Sequence, residues 1–258
     1  MIAAVALLAA GVAIGAVLGA VGGGGSLLAV PALVYLGDQG VRSAQAGSLI
    51  VVIAASALGL VHYRRRDDVR WRAGLAFGLA AAVASLAASL LSRRIDPDVL
   101  LLAFAPVMVL GAIAMLAERA TLGSRFRPWR YGVSARGVAE VAIAGVVVGS
   151  LTGLFGVGGG FVVVPVLVLG LGFGLAEAAG TSLLVIVVGA APALAERLGA
   201  AAIEWSVVGP FAVAALAGVL AGTWIGRRAS APAMARVFAS VVVLTALYTG
   251  ARALLALA

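Results

Sequence analysis

An apolar stretch interrupted by glycines occurs twice in this chain, and it constrains the fold more than any other feature. Residues 22–31 read GGGGSLLAVP and residues 156–165 read GVGGGFVVVP, each after about twenty apolar residues. With an offset of 134 the two halves align without a gap over about eighty positions. Gly15, Gly19, Gly22, Gly24, Gly25, Val30, Pro31 and Leu33 fall on Gly149, Gly153, Gly156, Gly158, Gly159, Val164, Pro165 and Leu167. The register runs on through Ser48/Ser182, Leu49/Leu183, Trp71/Trp205, Phe77/Phe211 and Arg93-Arg94/Arg227-Arg228. A glycine run alone says little. A gapless register is an internal repeat, and interrupted apolar segments at matching positions of two membrane-embedded halves point to a transporter binding site.

Composition places the repeat in lipid. Of 258 residues, 64% are hydrophobic and 11% charged, more apolar surface than a soluble domain of this size can hide. The net charge of +8 comes from eighteen arginines, clustered at 64–72 and 119–136 between apolar spans. That is the distribution of cytoplasmic loops under the positive-inside rule, so no nucleic-acid partner is expected. With no Cys and one His, disulfides, redox pairs and transition-metal clusters are not expected, and no cofactor is implied. Residues 1–21 lack the basic start of a signal peptide and are the repeat counterpart of 135–155, so they read as part of the mature fold.

The expected fold class is an all-α polytopic membrane protein of two homologous halves, residues 1–117 and 137–258, joined by a cytoplasmic linker at 118–136. Each half holds a glycine-broken helical hairpin (2–36 and 137–171) and three transmembrane helices. These lie at 44–62, 71–91 and 99–117, then at 178–195, 205–225 and 233–255. The apolar piece after the first break, 26–36, is about 17 Å long as a helix, too short to cross a core of roughly 30 Å alone. Parity favours inverted topology, because an odd number of crossings per half turns the second over. The arginine count barely separates the options: thirteen inside and five outside when inverted, about twelve and six when parallel. The stripes Gly11, Gly15, Gly19 and Gly145, Gly149, Gly153 read as close helix packing.

Non-helical backbone at membrane depth must be buried in protein or line a wet cavity, since its N–H and C=O groups cannot go unpaired in lipid. The expected binding residues are Gly23, Gly24, Gly25 and Ser26 at the first break and Gly158, Gly159 and Gly160 at the second. Glycines let backbone approach a ligand, and the helices starting near Ser26 and Gly160 present their positive ends to an anion. The alternative for these glycines is a tight, dry turn. The second repeated string, AQAGSL at 44–49 and AAGTSL at 178–183, adds the hydroxyls of Ser48, Thr181 and Ser182. These could donate to an anion or bond back to a helical carbonyl. Arg42 and Glu177, at span boundaries, are the candidates for gating or coupling. Glu140 and His62 carry less weight, and Trp71, Trp129 and Trp205 mark interfacial ends. The spans hold no nucleophile–base pair or carboxylate pair, so an enzyme is not expected.

These motifs, GLFGVGGGFVVVPVL with EAAGTSLL in the second half and GGGGSLLAVPAL with AQAGSL as a looser first copy, resemble the TauE/SafE family of sulfite and organosulfonate exporters over essentially the whole chain. Gly47 stands where Thr181 lies in the better copy. The resemblance implies export of sulfite, sulfoacetate or related sulfonates across a bacterial inner membrane by a multi-pass protein. Its partners would be the lipid bilayer and a small anionic substrate, with protons or sodium as coupling ions or none. A passive anion channel is the runner-up, and an assembly partner without transport comes third.

Overall fold

The computed structural model describes residues 2–64, 68–121, 135–170, 172–199 and 202–225, together with 243, 246 and 247. The expected span at 233–255, apart from those three positions, and most of the linker, including Trp129, lie outside the described residues. The remainder is helical, with no strand among the described residues. Helix α1 (Ile2–Val21) ends at the first break. A 3₁₀ turn (Gly24–Leu28) and the short α2 (Ala29–Tyr35) follow. Then come α3 (Val41–Arg64), α4 (Trp71–Ser92) and α5 (Pro97–Thr121). After the linker, α6 (Ala135–Phe155) ends at the second break and α7 (Gly160–Pro165) continues as a π turn (Val166–Gly170). Helices α8 (Leu175–Leu198) and α9 (Trp205–Ile225) complete the described chain.

Four of these helices are long and apolar enough to cross a membrane: 41–63, 71–92, 177–198 and 205–224. Their burial sorts them into layers. In α3 and α8 61% and 67% of the most apolar window is buried, against 39% in both α4 and α9. So α3 and α8 form the centre. The outer helices turn apolar side chains outward, among them Val5 and Val12 of α1, Leu79 and Val83 of α4, Ile143 and Val147 of α6, and Val213 and Leu220 of α9. An apolar ring of this kind suits lipid.

The glycine stripes explain how the outer helices pair. A Cβ built on Gly15 would lie 1.9 Å from the carbonyl oxygen of Ala215, and one on Gly19 2.4 Å from that of Val219. Facing them, Gly218 and Gly222 of α9 meet the carbonyl oxygens of Val12 and Ala16 at 2.2 and 2.0 Å. Contact positions rise together along both helices, so α1 and α9 run parallel at a spacing only glycine permits. In the other half Gly149 meets Ala81 at 2.2 Å and Gly153 meets Ser85 at 2.1 Å, which makes α6 parallel to α4. Ala81 and Ala215 are 134 apart, as are Ser85 and Val219, so glycines separated by 134 meet partners separated by 134.

The two breaks begin alike and then diverge. Gly22 and Gly156 both take positive φ, 86° and 69°. Their N–H groups close the last turns of α1 and α6 on the carbonyls of Leu18 and Thr152, both at 2.9 Å. Beyond that point Gly158 and Gly159 have positive φ (70° and 65°), and α7 starts at Gly160 as expected. In the first half Ser26 stands in place of Gly160. Its N–H and Oγ both donate to the Gly23 carbonyl, at 3.3 and 2.9 Å, and tighten the chain into the 3₁₀ turn. Regular helix therefore begins at Ala29, later than the expected start near Ser26. The shift also separates the two prolines. Pro31 is the third residue of α2, within the first turn where a missing N–H costs nothing. Pro165 is the sixth residue of α7, where the ladder needs its N–H, and the helix slips there into the wider π register.

Replacing Gly149 by Ala puts a methyl against the α4 backbone and is expected to destabilise the protein by about 1–3 kcal/mol. Gly209→Ala on α9, whose Cβ would meet nothing within 4 Å, is expected to be neutral or slightly stabilising. Thermal unfolding of the two variants in detergent checks the contrast.

Candidate functional site

The structure brings the two breaks together between α3 and α8. A Cβ on Gly23 would lie 2.3 Å from the carbonyl oxygen of Gly160, and one on Gly160 2.7 Å from that of Gly23. Backbone touches backbone, with no room for a side chain on either glycine. The walls are the central helices. A Cβ on Gly158 would meet Val52 at 2.6 Å and Ile186 at 3.6 Å, two residues that are themselves 134 apart. Gly159 lies against Thr152, whose hydroxyl is tied to the Val148 carbonyl at 2.9 Å. From residue 43 to 63 of α3 and from 178 to 195 of α8 there is no Asp, Glu, Lys or Arg. The junction therefore offers backbone dipoles and hydroxyls without fixed charge.

The expected hydroxyls reach different ends. Ser182 is fully buried, and its single O–H is shared between the Gly22 carbonyl at the first break and the Ala179 carbonyl within α8 (2.8 Å). Ser48, its counterpart, is equally buried, and its Oγ has no hydrogen-bond partner in the described structure. Thr181 is turned elsewhere: its Oγ1 accepts the backbone N–H of Arg70 at 3.0 Å and holds the loop before α4. The junction thus gathers Gly23, Gly158, Gly159 and Gly160, with Ser182 bonded to the first break and Ser48 on α3 between Gln45 and Val52, which meet Gly156 and Gly158. Gly24, Gly25 and Ser26 lie in the adjoining 3₁₀ turn. Gly25 packs back on α1 at Ile14, and Ser26 is spent on Gly23.

Arg42 and Glu177 lie at opposite ends of the bundle, neither of them at the breaks. Glu177 pairs with Arg70 at the end where α3 finishes and α8 begins. Arg42 donates to the Arg93 carbonyl at 3.1 Å, at the end where α3 begins and α4 finishes.

A polar cluster that sequence reasoning passed over lies beside Arg42. Arg197, near the end of α8, is 6% exposed. Its guanidinium donates to Gln45 Oε1 of α3 (2.5 Å), to Ser92 Oγ of α4 (3.2 Å) and to the Gly153 carbonyl of α6. Gln45 in turn donates to the Leu154 carbonyl at 3.4 Å and packs against Gly156, where the second break starts. At the other end Ala179, 134 residues after Gln45, packs against Gly22 in the same way. The available signal was positional: Arg197 falls on Tyr63 in the repeat, and Tyr63 Oη donates to the Gly19 carbonyl at 3.3 Å, as Arg197 does to Gly153. In a single pass along the chain Arg197 reads as a boundary arginine.

Apolar helices arranged around a buried, glycine-lined polar junction are the construction of a membrane transporter. The chain belongs to the TauE/SafE sulfite exporter family, which matches residues 7–249. Two proteins of Xylella fastidiosa named "Probable membrane transporter protein" are similar to it. The one from strain Temecula1 is 30% identical over 91% of this chain and 90% of its own length. The one from strain 9a5c is 29% identical over the same shares. A "Probable membrane transporter protein" of Methanocaldococcus jannaschii is 28% identical over 57% of this chain and 54% of its own. No solved structure matches the chain significantly.

The contrast between the serines is measurable without a substrate. Ser182→Ala removes a hydrogen bond across the halves and is expected to cost about 1–3 kcal/mol. Ser48→Ala deletes a hydroxyl with no described partner and is expected to leave stability unchanged or raise it. Thermal unfolding in anion-free buffer separates the two.

Proposed function

We propose that the protein is a secondary transporter that exports small sulfur-containing oxyanions, such as sulfite, sulfoacetate or related sulfonates, across a bacterial inner membrane. The substrate binds where the two breaks meet, held by their backbone N–H groups and by the hydroxyls of Ser48 and Ser182. The observation that carries this reading is the buried Ser48 hydroxyl, without a described partner, on α3 between the two residues, Gln45 and Val52, that meet the second break. A donor left without a partner at membrane depth is costly unless something else accepts from it. Absence of fixed charge at the junction suits a site that must release its anion as well as bind it. The family supports the sulfur-oxyanion class.

The proposed architecture is two homologous halves of inverted topology rocking about this site. Three features support it. Partner pairs recur at the offset of 134 with the halves exchanged: Gly15 on Ala215 and Gly149 on Ala81, Gly22 on Ala179 and Gly156 on Gln45. Helix α1 runs towards the end where α3 finishes, as the Gly19–Tyr63 contact requires, whereas its counterpart α6 runs towards the end where α3 begins, as the Gly156–Gln45 contact requires. Charge agrees as well. In sequence the arginine-rich stretches 64–72 and 119–136 follow α3 and α5, and the end at which α3 finishes would then face the cytoplasm.

Uptake of labelled sulfite, sulfoacetate and sulfate into proteoliposomes, with and without imposed proton or sodium gradients, tests the function. Saturable flux of one sulfur anion is expected; flux that does not saturate and carries large currents would instead establish a passive anion channel. In the cysteine-free chain, Ser48→Cys supplies a single thiol at the proposed site. Substrate is expected to slow its alkylation, and unprotected labelling at saturating substrate would remove Ser48 from the site. Reporters fused to the 118–136 linker and to the C-terminus are expected on opposite sides of the membrane.

A further inference from the structure

We infer that Arg197 forms a second anion site, between the glycine junction and the end of the bundle where α3 begins, and that it makes this end alone selective for anions. The inference rests on the transport reading above for its role but on its own geometry for its existence. A guanidinium that is 6% exposed has left water, and it needs either a carboxylate or another anion to balance it. Its described partners are all neutral: an amide oxygen, a hydroxyl and a backbone carbonyl. Neighbouring Glu196 acts on Arg197 through space only: its oxygens are taken by Arg93 and by the hydroxyl of Ser89, and no ion pair of Arg197 occurs among the described residues. Its Nε is buried and has no hydrogen-bond partner among the described residues. Arg42 and Arg93 stand in the same cluster, so the local balance is positive. An unpaired guanidinium N–H in positive surroundings is what an oxyanion would take, because charge-assisted hydrogen bonds from Arg are the strong ones.

The repeat supplies the control. At the equivalent position of the first half Tyr63 makes the same bond to the chain, onto the Gly19 carbonyl, without charge. Tying the hairpin to the central helices therefore does not require a cation, and the charge of Arg197 is surplus to that task. Arg197 also bridges α8 to α3, α4 and the end of α6, so an anion drawing on its guanidinium would loosen the contacts that close this end. Entry of the anion and opening of the end are coupled through one side chain.

The test is Arg197→Tyr, which transfers the first half's solution and keeps a donor for Gly153. Purified full-length protein is titrated with sulfate, sulfite and acetate while its thermal unfolding is followed. Wild type is expected to be stabilised saturably by at least one of these anions. Arg197→Tyr is expected to need about tenfold or more anion for the same shift, with Arg197→Lys in between. Equal titrations for wild type and a folded Arg197→Tyr would overturn the inference and leave Arg197 a structural tie. Should Arg197→Tyr not fold, Arg197→Lys titrating like wild type overturns it equally. No anion-dependent shift in wild type also overturns it. Flux in proteoliposomes then separates this inference from the proposed function. Saturable flux that Arg197→Tyr leaves unchanged removes the site's role in selectivity but leaves the transporter. Saturable anion stabilisation without flux of any sulfur anion keeps the site and removes the exporter.

Discussion

Backbone polar groups have nowhere to go in a bilayer, and most of this structure follows from that constraint. A chain that stops being helical at membrane depth exposes N–H and C=O groups that lipid cannot satisfy. Here the helical ladder stops twice, and the stops are buried against each other between the two most enclosed helices. The first break receives a hydroxyl from α8 through Ser182, and an internal one from Ser26. Around this centre the outer helices need only face lipid and approach closely, which the glycine stripes of α1 and α6 arrange. Function and packing thus share one origin. Glycine allows the ladder to break, and glycine again allows the surrounding helices to close over the break.

Much of this was legible in the residues. The apolar runs at 44–62, 71–91, 178–195 and 205–225 predicted the boundaries of the four membrane-long helices to within a few residues. The stripe Gly11, Gly15, Gly19 predicted close packing, although not its partner. The packing partner is α9 of the opposite half, a non-local choice that no local pattern encodes. The breaks were equally visible, but their inner geometry was not. The exchange of Gly160 for Ser26 separates a 3₁₀ turn from an α-helix and decides whether the proline three residues after regular helix could begin, or six, meets a backbone ladder. Such effects arise from single hydrogen bonds, here those of Ser26 to the Gly23 carbonyl, which periodicity does not report.

The candidate hydroxyls stand differently in the fold than in the motif. The repeat presents Ser48 and Ser182 as equals, while the folded chain does not. The Ser182 O–H is shared between two carbonyls and that of Ser48 has no described partner. Thr181 matched the motif but serves a loop, since the neighbouring α4 start brings the Arg70 N–H to it. Arg197 was missed for the opposite reason. Its position looked interfacial because α8 ends there, and only the packing of α3, α4 and α6 over that end buries it.

The Gly23–Gly160 contact has a consequence for how such proteins diversify. Two backbones that touch leave no intermediate substitution: any side chain on either glycine displaces the other segment, and no compensating change at the partner can help, since the partner is already the smallest residue. The meeting point is therefore frozen against drift. If the proposed site is the right one, variation in cargo falls to the walls, at positions such as Ser48, Val52, Ser182 and Ile186, where side chains are already present and can be exchanged one at a time. Relatives with different cargoes are expected to share their breaks and to differ along the inner faces of the two central helices.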